Sequence, residues 1–465
     1  MTPEQVDQLS IEDLRTLVKR LLDEMESLSQ RVATLEAENE HLKRQLNKSA
    51  NSGNSSQPPS RDIKPNQSVD KPKKKRGARF GHQKYSRPLI DNPDRVIQVA
   101  VTECANCLAD LNGVAPEDFE RRQIVELPEV RPVVIETRQH LAMCPHCLKP
   151  NRGCLPEGLE ADRYFGPHLE ATVVFYKQTQ HLSYERIVET MREMHGVELS
   201  EGAIAQILQR AGEKAQPFAE KIRAEVVKGP VIKSDETSAR VKGRNWWQWV
   251  FISDAGVYHT IVPTRSKAEI KTVMGSWCVE VWVCDCLWAQ LSAPAKVFQL
   301  CLAHQIRDLQ RVIDLHPQED WATWMQALFR EAIHLRNRFD EMTIEGFQRR
   351  VTQLENQLDQ LLEKTVESKE AQRLLNRYHT HREKLLTFLS YPKVPPTNNE
   401  SEQALRGSVV HRKVTNGFRS EWGAKAYAAL QTIIATTKHK GEDVFQALVN
   451  LMGAPVLPFL NASGP

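Results

Sequence analysis

Three carboxylates in this 465-residue chain have the types and settings needed to hold cations. Asp235 lies in Ser-Asp-Glu-Thr on a β-type run, Asp285 ends another in Val-Cys-Asp-Cys, and Glu402 follows Asn398-Asn399 at the start of a helical stretch. A carboxylate embedded in an apolar strand costs free energy unless it is paired or bound to metal. Two such groups at neighbouring strand ends, with a third from a helix, hold two divalent cations roughly 4 Å apart, the geometry of in-line attack on a phosphodiester. Hard oxygen ligands suit Mg²⁺, or Mn²⁺ in its place. Spacing alone also fits carboxylates at solvated strand ends and a helix start. A second set is softer: Cys104–Cys107 and Cys144–Cys147, two Cys-x-x-Cys pairs separated by 36 residues. Together they offer four thiolates to one tetrahedral, structural Zn²⁺ with no position left for water. Cys154 is a spare, an ordinary thiol.

The elements that must position these groups follow from periodicity. VIKSDETSAR, WWQWVFISD, VYHTIVPTR, VEVWVCDC and KVFQLCLA are five β-type runs after residue 230, the first three spaced as antiparallel neighbours and the last leading into a helix. With a short helix over 266–275 they predict an α/β core over 229–316. Alternation puts Trp247, Trp249 and Phe251 on one strand face, as core. Residues 317–392 read as an all-helical, charged segment, and 393–465 as a helical C-terminal part carrying Glu402. Upstream, 161–228 is helical. SYERIVETMREMHGVELSEGAIAQILQRAG suggests a helix-turn-helix-like pair with Ser200 capping a second helix over about 201–211, or a purely architectural pair. Residues 95–160 form the four-cysteine module, with β-type runs VIQVAV and VVIETRQHLAM.

The N-terminal residues 1–48 predict a coiled-coil helix. Leu14, Leu21, Leu28, Leu35 and Leu42 occupy the d positions, and Ile11, Val18, Met25, Val32, Asn39 and Leu46 the a positions. That pattern favours a parallel two-stranded homo-oligomer in register at the buried Asn, a rod roughly 54 Å long. Residues 49–94 are a flexible linker ending in a basic strip, KPKKKRGARFGHQKYSR, with Lys73, Lys74, Lys75, Arg76, Arg79, His82, Lys84 and Arg87 and no acidic residue. Such a strip suits phosphate contacts on double-stranded DNA.

Composition narrows the class. Net charge is only +3 from 62 basic and 59 acidic side chains, so affinity for nucleic acid must come from local clusters. No apolar run reaches the ~20 residues that span a bilayer, and the start lacks a basic-then-apolar secretory leader. Nine cysteines, an odd count that includes two Cys-x-x-Cys pairs, favour a reducing compartment over a disulfide framework.

The chain resembles bacterial transposases of the insertion sequence 66 family. The likeness runs from the coiled coil and Asn-Ser-rich linker through Gly77, Gly81 and His82 ahead of the four cysteines. It continues through FGPHLEATVVFYKQTQHLSYERIVETM, Asp235-Glu236-Thr237, the Asp285 strand and Leu300-Cys301-Leu302-Ala303-His304 with Arg307. Its most specific part is NNESEQALR…GFRSEWGAKAYAALQTIIATTKHKG. The resemblance implies a ribonuclease H-like core and metal-dependent DNA cleavage and strand transfer by an Asp, Asp, Glu triad, here Asp235, Asp285 and Glu402. Glu402 is preferred to Glu400 because the family's glutamate stands three residues after the second Asn. The helical segment is then an insertion that widens the Asp285–Glu402 gap to 117 residues. His304 is expected beside the triad, and Arg307, Arg406, Arg412, Lys413 and Arg419 along a DNA backbone. The resemblance further implies a cytoplasmic protein that acts on its element's terminal inverted repeats and on target DNA, often encoded beside two small accessory proteins. A non-enzymatic DNA-binding regulator is the alternative. Thr397, Gln403 and the cysteines flanking Asp285 depart from the usual family residues.

Overall fold

The computed structural model describes residues 11–47, 87–155 and 164–453. Lys73, Lys74, Lys75, Arg76, Arg79, His82 and Lys84 of the basic strip lie outside the described residues. The chain divides into two compact units: residues 64–133 with 194–196, and the remainder.

In the smaller unit Arg87 is exposed and Ile90 is held by Gln123, whose side chain accepts from the Ile90 N–H at 2.8 Å and donates to its carbonyl at 2.6 Å. A Glu103–Asp110 bridge brackets the turn that carries Cys104 and Cys107. The strand expected over VIQVAV is absent. Val96, Ile97, Val99 and Val101 are all exposed, so neither phase of the alternation has a surface to pack on. β propensity without a covered face does not select a strand.

In the larger unit α1 (Ile11–Asn47) is a single helix, with Val18, Leu21, Met25, Leu28, Val32 and Leu35 exposed along it. Of the second expected β run only β1 (Leu141–Met143) forms, pairing antiparallel with β2 (Pro150–Arg152) around the turn that carries Cys144 and Cys147. Three helices follow: α2 (Pro167–Gln178), α3 (Tyr184–His195) and α4 (Glu201–Val226). Ser200 caps α4 as expected, its hydroxyl accepting from the Ala203 N–H at 3.1 Å. The helix does not stop near 211, however. Its buried stripe runs on from Ile204, Ile207 and Ala211 to Ala215 and Ala219, which carries it past Pro217.

The central sheet has strand order β5-β4-β3-β6-β7, with β3 (Val231–Val241), β4 (Arg244–Ser253), β5 (Gly256–Val262), β6 (Val279–Cys284) and β7 (Ala295–Leu300). The first three form an antiparallel meander, and β6 and β7 run parallel to β3. Lys242 and Gly243 both take positive φ in the two-residue β3–β4 turn, matching the twist that such a hairpin needs. α5 (Lys267–Met274) links β5 to β6, and α6 (Leu302–Leu315) follows β7.

Each face of the sheet has its own cover. Trp249 and Phe251 stack at 6.3 Å, and Phe251 meets Trp282 edge-on at 6.1 Å. That core continues without a break into α7 (Asp320–Asn337), α8 (Ile344–Leu362), α9 (Lys369–Thr380) and α10 (Thr387–Ser390), through Phe329, Leu358, Tyr378 and Phe388. The opposite face, with Val250 and Ile252, packs on Leu405 of α11 (Asn399–Thr415). On that face Ala239 and Val241 pack on Tyr427 of α12 (Glu421–His439), before α13 (Val444–Met452) closes the described chain. At Gly212 a Cβ would lie 2.2 Å from that of Ala426, so glycine is what lets the α4 and α12 backbones touch.

β5 is the sheet's outer strand, and α12 supplies the hydrogen bonds its open side lacks. Thr436 Oγ1 accepts from the Val257 N–H and donates to the Val257 carbonyl, each at 3.0 Å. Thr432 Oγ1 accepts from the His259 N–H at 2.9 Å. Among the described residues no helix is long and apolar enough to cross a membrane.

Candidate active site

β3 pairs with β6 only through Val231, Ile232 and Lys233, so beyond Lys233 its β6 side is free. Asp235 lies two residues past that point, and Asp285 directly follows the last residue of β6. Parallel register brings the two side by side at one end of the sheet. Asp235 is opposite Val250, which puts it on the face that α11 covers. Its Oδ1 accepts from the Glu236 N–H at 2.8 Å, while Asp285 Oδ1 accepts from the Leu287 N–H at 2.9 Å, a local turn that fixes the second carboxylate.

Asn398 docks α11 against this strand. The fully buried side chain donates to the Ser234 carbonyl at 2.7 Å, and its backbone N–H meets Cys301 Sγ at 3.1 Å. One helical turn later Glu402 faces α6. Its Oε1 accepts from Arg307 Nη2 at 3.1 Å and lies 3.6 Å from His304 Nδ1. Glu400 is engaged elsewhere, with Lys233 and, at 3.2 Å, with His439. Glu402 is therefore the α11 glutamate turned into the cluster.

The acidic side chains lie close enough to oppose one another's ionisation. Asp235 is pushed up to about 8, first by burial, then by the charges of Glu236 and Asp285 and, more weakly, of Glu402. Ligand atoms of Asp235, Glu236 and Asp285 all lie within 4.8 Å of one another, as do those of Cys301, His304 and Glu402. Carboxyl groups that repel one another at this separation lose that penalty when a divalent cation sits among them. The donor set, mainly hard oxygen, fits Mg²⁺ or Mn²⁺. Burial and the Arg307 charge hold His304 below its ordinary value, against the opposing charges of Glu402 and Asp285.

Of the cations expected to track DNA, Arg307 is in the cluster and Arg406, Lys413 and Arg419 are exposed on or just beyond α11. Arg412 instead turns onto β3, donating to the Ser238 carbonyl and hydroxyl. Cys104 and Cys107 belong to the smaller unit, Cys144 and Cys147 to the larger. Both turns have one geometry. The first Cys N–H donates five residues on at 2.9 Å, and its carbonyl accepts from the Leu108 or Leu148 N–H at 2.9 Å, these leucines having φ of 59° and 54°. Hydrogen bonds from the Asn106 and Cys107 backbone lower the Cys104 thiol, and those from the Cys147 and His146 backbone lower Cys144.

Glu236 is what residue spacing missed. It lies on the other face of β3, buried, bonded by Arg265 Nε at 3.0 Å and by Gln290 Nε2 at 2.8 Å. Gln290 in turn accepts from Trp282 Nε1 at 3.0 Å. Burial and the Asp285 charge raise the Glu236 carboxyl, and Arg265 opposes them. The available signal was a carboxylate in the same strand phase as Ile232, a phase that should be apolar.

Comparison with curated proteins finds no match to this sequence. A comparison with protein families does: the Transposase IS66 family model matches residues 162–426, more than half of the chain and the whole stretch that builds the acidic cluster. The protein belongs to that family of transposases.

Proposed function

We propose that this chain cuts and joins DNA at the ends of its own insertion sequence, with Asp235, Asp285 and Glu402 as the catalytic carboxylates. One observation supports the reading: Asp235 and Asp285, 50 residues apart in sequence, have ligand atoms within 4.8 Å of each other, and Asp235 also feels the charge of Glu402, 117 residues beyond Asp285. The strand order, an antiparallel meander followed by two strands parallel to the first, supports a ribonuclease H-like core.

The three carboxylates would hold Mg²⁺, which when bound favours the deprotonated nucleophile and offsets charge building on the scissile phosphate. The protein's own part is to orient. The Glu236 N–H fixes one Asp235 oxygen, and Asn398 fixes the helix that presents Glu402. Arg307 holds the Glu402 carboxylate and adds positive charge beside the place of the phosphate. Arg406, Lys413 and Arg419, exposed on or just beyond α11, would contact the DNA backbone, and the basic strip in the sequence would supply further phosphate contacts. Each Cys-x-x-Cys turn, Cys104/Cys107 and Cys144/Cys147, would offer thiolates to a structural Zn²⁺, as the paired pattern in the sequence implies, and backbone hydrogen bonds lower the first thiol of each. The exposed apolar residues of α1 support pairing with a second copy as a coiled coil.

The test is Mg²⁺- or Mn²⁺-dependent cleavage of a linear duplex carrying the element's terminal repeat, with Asp235→Asn run alongside. Cutting at the repeat boundary by the parent alone is the expected result. Tight binding with no cleavage by either protein, accessory proteins included, would make the chain a DNA-binding regulator.

A further inference from the structure

A second cavity lies at the far end of α11, on the face of the sheet that the acidic cluster also uses. It has a volume of about 480 Å³, within the range of small-molecule sites, and is open to solvent. Its walls are aromatic: Tyr184 of α3, Phe418 and Trp422 from the turn into α12, and Tyr427 beneath them. Phe418 is fixed by backbone bonds to β3, its N–H donating to the Arg240 carbonyl at 2.7 Å and its carbonyl accepting from the Lys242 N–H at 2.9 Å. Gly417 makes that approach at φ 114°, where a Cβ would meet the Arg240 carbonyl oxygen at 2.6 Å. His411 stacks on the Phe418 ring at 5.1 Å, so the platform is rigid, whereas Trp422 remains 41% exposed.

Charge is divided across the cavity. Lys177 is buried in its wall, donating to the Leu182 carbonyl at 3.0 Å and standing 5.1 Å over the Tyr184 ring. No carboxylate among the described residues lies within ion-pair distance of its Nζ, and burial pushes it down to about 8. Arg419 contributes a second cation, and Glu185 and Glu201 stand on the side formed by α3 and α4. A phosphate drawn inside would meet those carboxylates. A neutral, flat, hydrogen-bonding ring would meet stacking faces and a donor, with its phosphate left near Arg419.

We propose that this cavity takes an unstacked base from the DNA that the acidic cluster acts on. The placement rests on the reading of that cluster as the cleavage site. His411 lies nine residues beyond Glu402 on the same helix, about 14 Å, which is about four stacked base steps. A strand following Arg406 along α11 therefore brings a nucleotide near the cut to the aromatic walls. Stacking faces accept any base, so the cavity holds the strand open and in register without reading its sequence.

The test separates the cavity from the cleavage reaction. The probe is an eight-nucleotide single strand with a central 2-aminopurine, and then the terminal-repeat duplex with 2-aminopurine at each of the four positions nearest the boundary. The expected result is quenching of the single-strand probe by the parent, with binding weakened about tenfold or more in Trp422→Ala and also in Arg419→Ala. In the duplex one position should change its emission on binding by Asp235→Asn and lose that change in the Trp422→Ala double variant. Single-strand binding that is absent, or equal in parent and Trp422→Ala with unchanged circular dichroism, would overturn the cavity's role whether or not the protein cleaves. Quenching of the short strand without cleavage of the duplex would leave the cavity standing and count against the catalytic reading.

Discussion

The chain carries two kinds of metal-type ligand set, and they prepare for a cation in opposite ways. At the cysteine turns, backbone N–H groups of the same six-residue loop lower the Cys104 and Cys144 thiols, which eases loss of their protons to an incoming ion. Midway along β3, burial and neighbouring carboxylates raise Asp235 to about 8, so full ionisation waits for the cation. The first arrangement favours permanent occupancy. The second makes binding conditional, which suits a site whose ion must be joined by a phosphate of the substrate.

The largest break in this comparison should come from the acidic side. Asp285→Asn or Glu402→Gln should lower cleavage of the terminal-repeat duplex by about a thousandfold or more, while Glu400→Gln stays within a few fold, measured as initial rates in Mg²⁺. An equal loss in Glu400→Gln would mean that the wrong α11 glutamate has been assigned. On the soft side, Cys104→Ser and Cys144→Ser should each remove the zinc of the purified protein, and Asp235→Asn should retain it, by metal analysis. Asn398→Ala tests how far the acidic site depends on distant packing. Losing the amide strands the Ser234 carbonyl, at about 1–3 kcal/mol, and a cleavage rate down about tenfold or more with zinc unchanged is expected.

The smallest effect is one of pH. Asp235 titrates higher in the folded chain than the 3.8 of the free group, so its contribution to stability is fully present below about pH 4 and is lost as pH rises through about 8. In chelator, Asp235→Asn should therefore melt above the parent by about 2–5 °C at pH 8 and by progressively less toward pH 5. Mg²⁺ should narrow the gap by binding the parent alone. A gap that does not change with pH would mean that the carboxylate sits in a wetter site than the cluster geometry implies.

The same contrast explains what could be read before the fold was known. A Cys-x-x-Cys turn closes within six residues, so its ligands are visible in the string. The five strands of the sheet were equally visible because each has a covered face: Trp249 and Phe251 occupy the phase that alternation assigned to core. VIQVAV has the same composition without a covered face, and no strand forms. Asp235, Asp285 and Glu402 were legible as candidates, but the closeness of the two aspartates depends on a parallel pairing of three residues, and the docking of the Glu402 helix on one buried asparagine, neither of which periodicity encodes. Glu236 was hidden for a different reason. A strand's buried phase is expected to be apolar, and its partners Arg265 and Gln290 come from a loop and a short 3-10 helix, 29 and 54 residues away. α4 runs beyond the expected 201–211 because its buried stripe continues through Ala215 and Ala219 past Pro217.

Thr432 and Thr436 have a consequence for chains that are never finished. Both belong to a helix made after every strand of the sheet, so a product cut short before it would carry β5 with its outward N–H and C=O groups bare. An unprotected outer strand is a template for pairing with another copy of itself. Such fragments would keep the N-terminal half with its basic strip, yet be drawn into aggregates. The two hydroxyls thus do more than hold a helix in place: they cover the sheet's outer strand, and that cover is complete only once the last helices have been made.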